Sequence, residues 1–443
     1  MHDYRAMADI VAAEIAAGTM PPGSRMPPQR SFAYDRGIAV STAARVYAEL
    51  TRRGLVSGEV GRGTFVRAKP SGNRSRYDNS GATRINLEHV FPILPDQARR
   101  LGPAFARLAT PAALAQALLP IGVAGTADAR RLVGNVMAQG GWAPDPSCIL
   151  FSGSGRQGIA AALATLAVAG DRVGVECLSY PGVKSVAARL GIVPVPIAMD
   201  DEGIVPDSID KLHRDHGIKA IYLQTALQNP LGMTMGASRR ESVARSIASN
   251  GLIAIEDRVY AFLTDDPPLA AIVPDRVILI DSLSKRLAPG TNLGFLVAPE
   301  RWIDRVRIAV HTGGWGPHGM PMAVAMQWIA EGIVADVALA KRDDARLRQA
   351  IATETLAGST IRRDTRSYHL WLELPDPWRA DTFSVAAARL GIAIAPAGAF
   401  AVMPGHVPNA VRLALAAPPL DVLERALSTL ARLVASEDDV PTE

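Results

Sequence analysis

Cysteine is nearly absent: in 443 residues there are two, Cys148 and Cys177. Their spacing suits neither a metal site nor a disulfide framework, so both kinds of scaffold are excluded and buried free thiols are expected. No metal site is expected elsewhere. Also missing is any uninterrupted apolar run approaching the roughly eighteen residues that a membrane helix needs. The opening stretch MHDYRAMADIVAAE carries Asp3, Asp9 and Glu14 where an export signal would be cationic and then apolar. These absences predict a cytoplasmic protein with no membrane partner. What is present is enough apolar residue, 48%, to bury sizeable cores, over a length that suits two or three domains.

Charge is unevenly placed. Residues 1 to 84 hold 13 Lys and Arg against 7 Asp and Glu, and the remaining residues hold 34 against 36. A small basic module on a near-neutral body points to nucleic acid at the front. In that front, apolar residues at 4, 7, 11 and 15 predict a helix from Tyr4 to Ala17 behind an Asp3 cap, stopped by Gly18. The turn PPGSRMPPQR leads into a second helix, Arg30 to Arg36, which Gly37 breaks. A third, Val40 to Arg53, turns Ala43, Val46, Tyr47 and Leu50 inward. GLVSGEVGRGTFV then alternates as a hairpin with Gly61-Arg62-Gly63 at its tip. Three helices and a hairpin make a winged helix-turn-helix, with Arg30, Ser41, Thr42, Arg45 and Arg62 as the candidate DNA contacts. Any one of them alone reads equally well as solvated surface. AKPSGNRSRYDNSGATR, residues 68 to 84, has no periodicity and predicts a flexible basic linker.

From residue 85 apolar runs alternate with Ala-rich helical stretches. CILFSGSGRQG, DRVGVECLSY, KAIYLQTALQNP, GLIAIEDRVY and RVILIDSLSK each read as a buried strand entering a polar loop. Such alternation predicts an open, mainly parallel α/β sheet with ligands at the carboxyl ends of its strands. YHLWLEL, AVRLALA and APAGAFAVMPG predict a smaller α+β lobe.

Those strand ends carry the chemistry. Lys285, in DSLSKRLAPG, sits in a loop of small and hydroxylated residues, a setting for a lysine that forms a Schiff base. A pyridoxal phosphate cofactor needs four further groups. Asp257 is placed to pair with the ring nitrogen, and Tyr260 and Asn229 to donate to the phenolic oxygen. Gly155 and Arg156, opening a helix, are placed for the phosphate, with the Ser282 and Ser284 hydroxyls nearby in sequence. Tyr180 can stack on the ring. Singly, each has a plainer reading as a cap, a turn or core.

The stretch from PPGSRMPPQR to GRGTFV closely resembles the winged helix of GntR-superfamily regulators, although Ala39-Val40 stands where a polar or basic base reader is usual. The order glycine loop, Tyr180, Asn229-Pro, Asp257-x-x-Tyr260, Ser282-x-Ser284-Lys285 resembles fold-type I, aspartate aminotransferase-like proteins, and the resemblance makes Arg412 the receptor for a ligand carboxylate. Together they resemble the MocR-type transcriptional regulators: residues 1–67 a GntR-type winged helix, 68–84 the linker, 85–443 an aminotransferase-like domain that binds pyridoxal 5'-phosphate. The resemblance implies a homodimer that binds operator DNA and senses an amino acid or amine effector through the cofactor. Two departures weaken the phosphate site. Asn292 replaces an arginine that pairs with the phosphate, and Leu119 and Pro120 stand near the place of a tyrosine that reaches the partner's phosphate; Arg156 is a candidate replacement for the lost charge. The alternatives are a pyridoxal phosphate-dependent aminotransferase with a vestigial DNA-binding head and a regulator whose body has abandoned the cofactor.

Overall fold

The computed structural model describes residues 4–21, 24–59, 63–66, 85–403 and 407–436. Asp3, Arg62 and the linker 68–84 lie outside them. At the front, α1 (Tyr4–Ala16), α2 (Gln29–Asp35) and α3 (Val40–Arg52) precede the antiparallel pair β1 (Val56–Glu59) and β2 (Gly63–Val66). Ala43, Val46, Tyr47 and Leu50 of α3 are buried against Ala8, Val11 and Ile15 of α1 and Phe32 of α2. Phe32 and Tyr47 meet edge to face, 5.3 Å between ring centres, and the Tyr47 hydroxyl donates to the Pro27 carbonyl. Burying each such side chain contributes about 1.5 to 3 kcal/mol, which explains how so short a module holds together.

The chain then enters the second body through β3 (Ile85–Asn86) and builds β4 (Ile149–Ser152), α4 (Gly155–Leu166), β5 (Arg172–Glu176), α5 (Pro181–Leu190), β6 (Val193–Ile197), β7 (Ala220–Leu223), β8 (Ile253–Asp257), β9 (Val277–Ser282), the single turn α6 (Leu283–Arg286), β10 (Gly294–Val297) and the long α7 (Ile333–Thr355). Seven strands form one sheet in the order β4-β10-β9-β8-β7-β5-β6. All are parallel except β10, which runs against both neighbours. The strands are buried on both faces: Ile221, Leu223 and Leu279 enter one apolar cluster, while Tyr222, Ile278 and Ile280 enter another. That is why they read as continuous apolar runs rather than alternating ones.

The smaller lobe is a four-stranded sheet of β11 (Ile361–Arg363), β12 (His369–Glu373), β14 (Ala395–Pro396) and β15 (Ala410–Ala414), in the order β11-β12-β15-β14. β13 (Ile392–Ala393) pairs in parallel with β3, and the Ala414 amide donates to the Leu87 carbonyl, so the entering chain is part of this lobe. The two cysteines are free, as expected, but only partly buried: Cys148 ends a one-turn 3-10 helix at the rim of the sheet and Cys177 lies just past the end of β5.

Candidate functional site

On the winged helix, ion pairing sorts the arginines. Arg36 pairs with Glu14 at 2.7 Å, Arg52 with Glu49 at 2.6 Å, and Arg53 with Glu49 and Asp9 at 2.8 and 2.5 Å. Arg30 and Arg45 are exposed and make no ion pair among the described residues. Ser41 is exposed and Thr42 half-buried on the first turn of α3. Tyr34, one turn beyond Arg30 on α2, is 89% exposed; no periodicity singled it out, because it lies on the polar face.

The ligand-binding candidates converge at the carboxyl ends of β4, β5, β7, β8 and β9. Asp257 ends β8 fully buried. Ile255 pairs in register with Tyr222 on β7, so the two-residue period places Asp257 on the same face as Tyr222 and Gln224. Tyr222 Oη donates to Asp257 Oδ2 at 2.6 Å, Gln224 Nε2 to the same oxygen at 3.1 Å, and the Val259 amide to Oδ1 at 3.2 Å. Burial outweighs these donors and pushes Asp257 up to about 6. Gln224 also accepts from the Asn229 amide, 2.9 Å, and its own amide donates to Glu176, which burial raises to about 8.

Asn229 Oδ1 accepts from Arg412 Nη1 at 2.9 Å, and Arg412 Nη2 donates to the Glu88 carbonyl. The guanidinium carbon lies 5.0 Å from the Phe400 ring centre, and Nε is buried without a protein partner. Burial pushes this guanidinium below its ordinary range, with Tyr260 and Glu88 acting in the opposite sense. Tyr260 is buried, and burial holds its hydroxyl far above the usual tyrosine range, in the protonated, donating form. Its ring lies 5.5 Å from that of His369, which burial lowers to about 3 and therefore keeps neutral.

Lys285 is the third residue of α6. Its amine donates to the Val90 carbonyl at 2.5 Å and lies 4.8 Å from the Phe91 ring centre and 6.0 Å from that of Tyr260. Ser282 caps this turn, its Oγ accepting from the Ser284 amide at 3.3 Å. A Cβ placed on Gly155 would stand 3.3 Å from Ser282 Oγ and 3.4 Å from Val259, so the start of α4 presses directly on the lysine turn. Ser154 caps α4, accepting from Gln157. Arg156, exposed on its first turn, donates to the Tyr180 hydroxyl at 3.2 Å. Asn292 is exposed with φ of +43°, in the left-handed region that asparagine tolerates better than most side chains. Sequence reasoning missed Tyr222, Gln224, Phe400 and the stretch Glu88–Phe91. Only the alternation of Tyr222 and Gln224 along a strand end could have pointed to the first two.

A buried carboxylate at the end of β8, a lysine on the single turn that follows β9, a helix amino terminus against that lysine's turn, and a buried guanidinium with an unpartnered nitrogen fit pyridoxal phosphate with a carboxylate-bearing ligand. This fold and site define a DNA-binding regulator whose body has the aminotransferase fold. Residues 123–430 match the aminotransferase class I and II family, and residues 3–66 match the bacterial regulatory proteins of the gntR family. The chain is 30% identical over 437 residues to YdeF, an HTH-type transcriptional regulator of Bacillus subtilis strain 168, covering 97% of this chain and 94% of that one. It is 26% identical to the pyridoxine biosynthesis regulator PdxR of Corynebacterium glutamicum, over 77% of this chain and 76% of PdxR. Among solved structures, the α-aminoadipate aminotransferase LysN of Thermus thermophilus superposes with a TM-score of 0.72 at 20% identity, over 80% of this chain and 92% of LysN. The chain belongs to the GntR-family transcriptional regulators with an aminotransferase class I and II domain, the MocR-type architecture. No single helix among the described residues is long and apolar enough to cross a membrane.

Proposed function

We propose that this regulator binds pyridoxal 5'-phosphate at Lys285 and uses it to sense an amino acid or amine in the cytoplasm, as a homodimer on operator DNA. Residues 1–67 are the DNA-binding unit, 68–84 the linker and 85–443 the sensor. In the sensor Asp257 holds the ring nitrogen, Tyr260 and Asn229 face the phenolic oxygen, Tyr180 stacks on the ring, and Gly155, Arg156, Ser282 and Ser284 receive the phosphate. Arg412 receives the effector's carboxylate. Bound there, the cofactor supplies an aldehyde to an amine and an electron-withdrawing ring. Asp257 keeps a proton on the ring nitrogen, Tyr260 keeps its own proton to donate, and the buried walls exclude water. A regulator needs only reversible attachment of the effector, so loss of the phosphate-pairing arginine at 292 is tolerable for sensing and harmful for turnover. Leu118 and Leu119, 67% and 56% exposed, give the dimer an apolar surface to cover.

One observation carries this reading. The stretch Glu88–Phe91, which follows the linker into the body, offers its Glu88 carbonyl to Arg412 and its Val90 carbonyl to Lys285. Any ligand engaging both side chains must act on the segment from which the DNA-binding unit hangs. The test is borohydride reduction of the cofactor-saturated protein followed by peptide mapping, with operator binding measured across a panel of amino acids. A pyridoxyl group on Lys285 and a change in operator affinity with one amino acid or amine are expected. A pyridoxyl group on another lysine, or on none, refutes the assignment.

A further inference from the structure

A second lysine stands behind the first. Lys341, on α7, is fully enclosed, and its amine donates to the backbone carbonyl of Lys285 itself at 3.1 Å and to that of Leu287. The Leu287 carbonyl also receives Gln97 Nε2 at 2.9 Å. α6 is a single turn closed by the Leu287 amide on the Leu283 carbonyl, 2.7 Å, so its last carbonyls have no donors of their own helix to meet. Lys341 meets them instead. Its own turn of α7 is fixed in place, since the Tyr368 hydroxyl donates to the Lys341 carbonyl at 2.9 Å and to Asp344 at 2.8 Å. Enclosing an amine is unfavourable, and methionine would fill nearly the same volume without that penalty. The local gain is a fixed geometry for the turn that carries the reactive side chain.

We propose that Lys341 is a positioning residue for Lys285, clamping the turn Leu283–Leu287 by two carbonyls and so aiming the Lys285 amine at the cofactor. The proposal rests on the reading of Lys285 as the attachment point. Burial lowers Lys341 to about 7, with Asp344 opposing and the charge of Lys285 reinforcing that fall. The other charged groups around the turn are paired among themselves, Arg286 with Asp281 at 2.7 Å and Arg348 with Asp344 at 2.8 Å. A neutral amine still has two N–H donors, one for each carbonyl, so the clamp holds on both sides of neutrality.

The experiment uses the full chain as parent, Lys341→Met and Lys341→Gln. Without cofactor, hydrogen exchange over residues 281–288 should quicken at least tenfold in Lys341→Met and stay near the parent rate in Lys341→Gln, which keeps amide donors. With pyridoxal phosphate, the rate of pyridoxyl trapping on Lys285 should fall at least tenfold in Lys341→Met and recover in Lys341→Gln. Affinity for pyridoxine 5'-phosphate, which has no aldehyde, should change less than twofold in both, a split that a merely structural lysine would not produce. A folded Lys341→Met with parental exchange and trapping rates overturns the proposal. So does a folded Lys341→Gln whose exchange is tenfold faster and whose trapping is tenfold slower than the parent's, which decides the matter should the methionine variant not fold. A parent that traps no pyridoxyl on Lys285 refutes the cofactor reading alone, and the exchange comparison then still judges the clamp.

Discussion

Replacing Asp257 by asparagine should stabilise the cofactor-free protein at neutral pH while weakening its hold on the cofactor. In the folded chain the carboxyl is fully buried and raised from 3.8 to about 6. A raised acid binds more protons folded than unfolded, so stability is unaffected below pH 3.8 and falls as pH climbs from there to about 6, where the loss is complete. A displacement of that size corresponds to about 3 kcal/mol. Asparagine cannot ionise and removes this loss, although its amide nitrogen replaces one carboxylate oxygen: with Tyr222 Oη and Gln224 Nε2 kept on the oxygen they already share, the Val259 amide loses its acceptor, at a cost of about 1 to 3 kcal/mol. The second cost does not depend on pH, so the difference between the two proteins in its pH dependence isolates the first. Glu176, raised to about 8, contributes a slope of the same sign to both proteins and largely cancels. The assay is urea unfolding of both proteins without cofactor from pH 4 to 8, followed by titration with pyridoxal phosphate. The variant's stability should gain about 3 kcal/mol on the parent's between pH 4 and 7, and its cofactor affinity should drop at least tenfold, because the ring nitrogen loses its counter-charge. Parallel pH profiles together with unchanged cofactor affinity would refute the placement of Asp257 at the ring nitrogen.

Arg412→Met keeps an apolar side chain against Phe400 but loses a bidentate, charge-assisted contact of about 1.5 to 3 kcal/mol, so the effector concentration for half-maximal response should rise about tenfold or more while pyridoxyl trapping on Lys285 is unchanged; a lost trap with an intact response would show that this arginine is misassigned. Arg30→Ala and Arg45→Ala should each weaken operator binding and reduce the slope of log affinity against log salt by about 1, and slopes equal to the parent's would leave these arginines as solvated surface. His369, lowered by burial to about 3, charges more readily in the unfolded chain, so stability should be lost as pH falls from 6.5 toward 3 and His369→Gln should flatten that limb in acid unfolding.

The three front helices, the buried parallel strands and the glycine loop before α4 were legible because each follows from local pattern: an apolar period of 3.6, a continuous apolar run, a breaker in place. Tyr4 to Ala17, Arg30 to Arg36 and Val40 to Arg53 differ from α1, α2 and α3 by one residue at one or both ends, where helices fray. Lys285, Asp257 and Asn229 were visible as polar residues closing apolar strands, since strand ends are where this architecture opens to ligands. The partners of these residues were not visible. Arg412 reaches Asn229 across 183 residues and Glu88 across 324, and Lys285 reaches Val90 across 195. Nothing local encodes those distances; they are set by the order β4-β10-β9-β8-β7-β5-β6 and by the docking of β3 onto β13 in the smaller lobe. Lys341 shows the division most plainly. In sequence it is one more basic residue in the helix ALAKRDDARLRQ, indistinguishable from Arg342 beside it. Packing alone turns one of the two into the core, behind the carbonyls of the lysine turn, because successive helical residues point about 100° apart and only one direction faces the site.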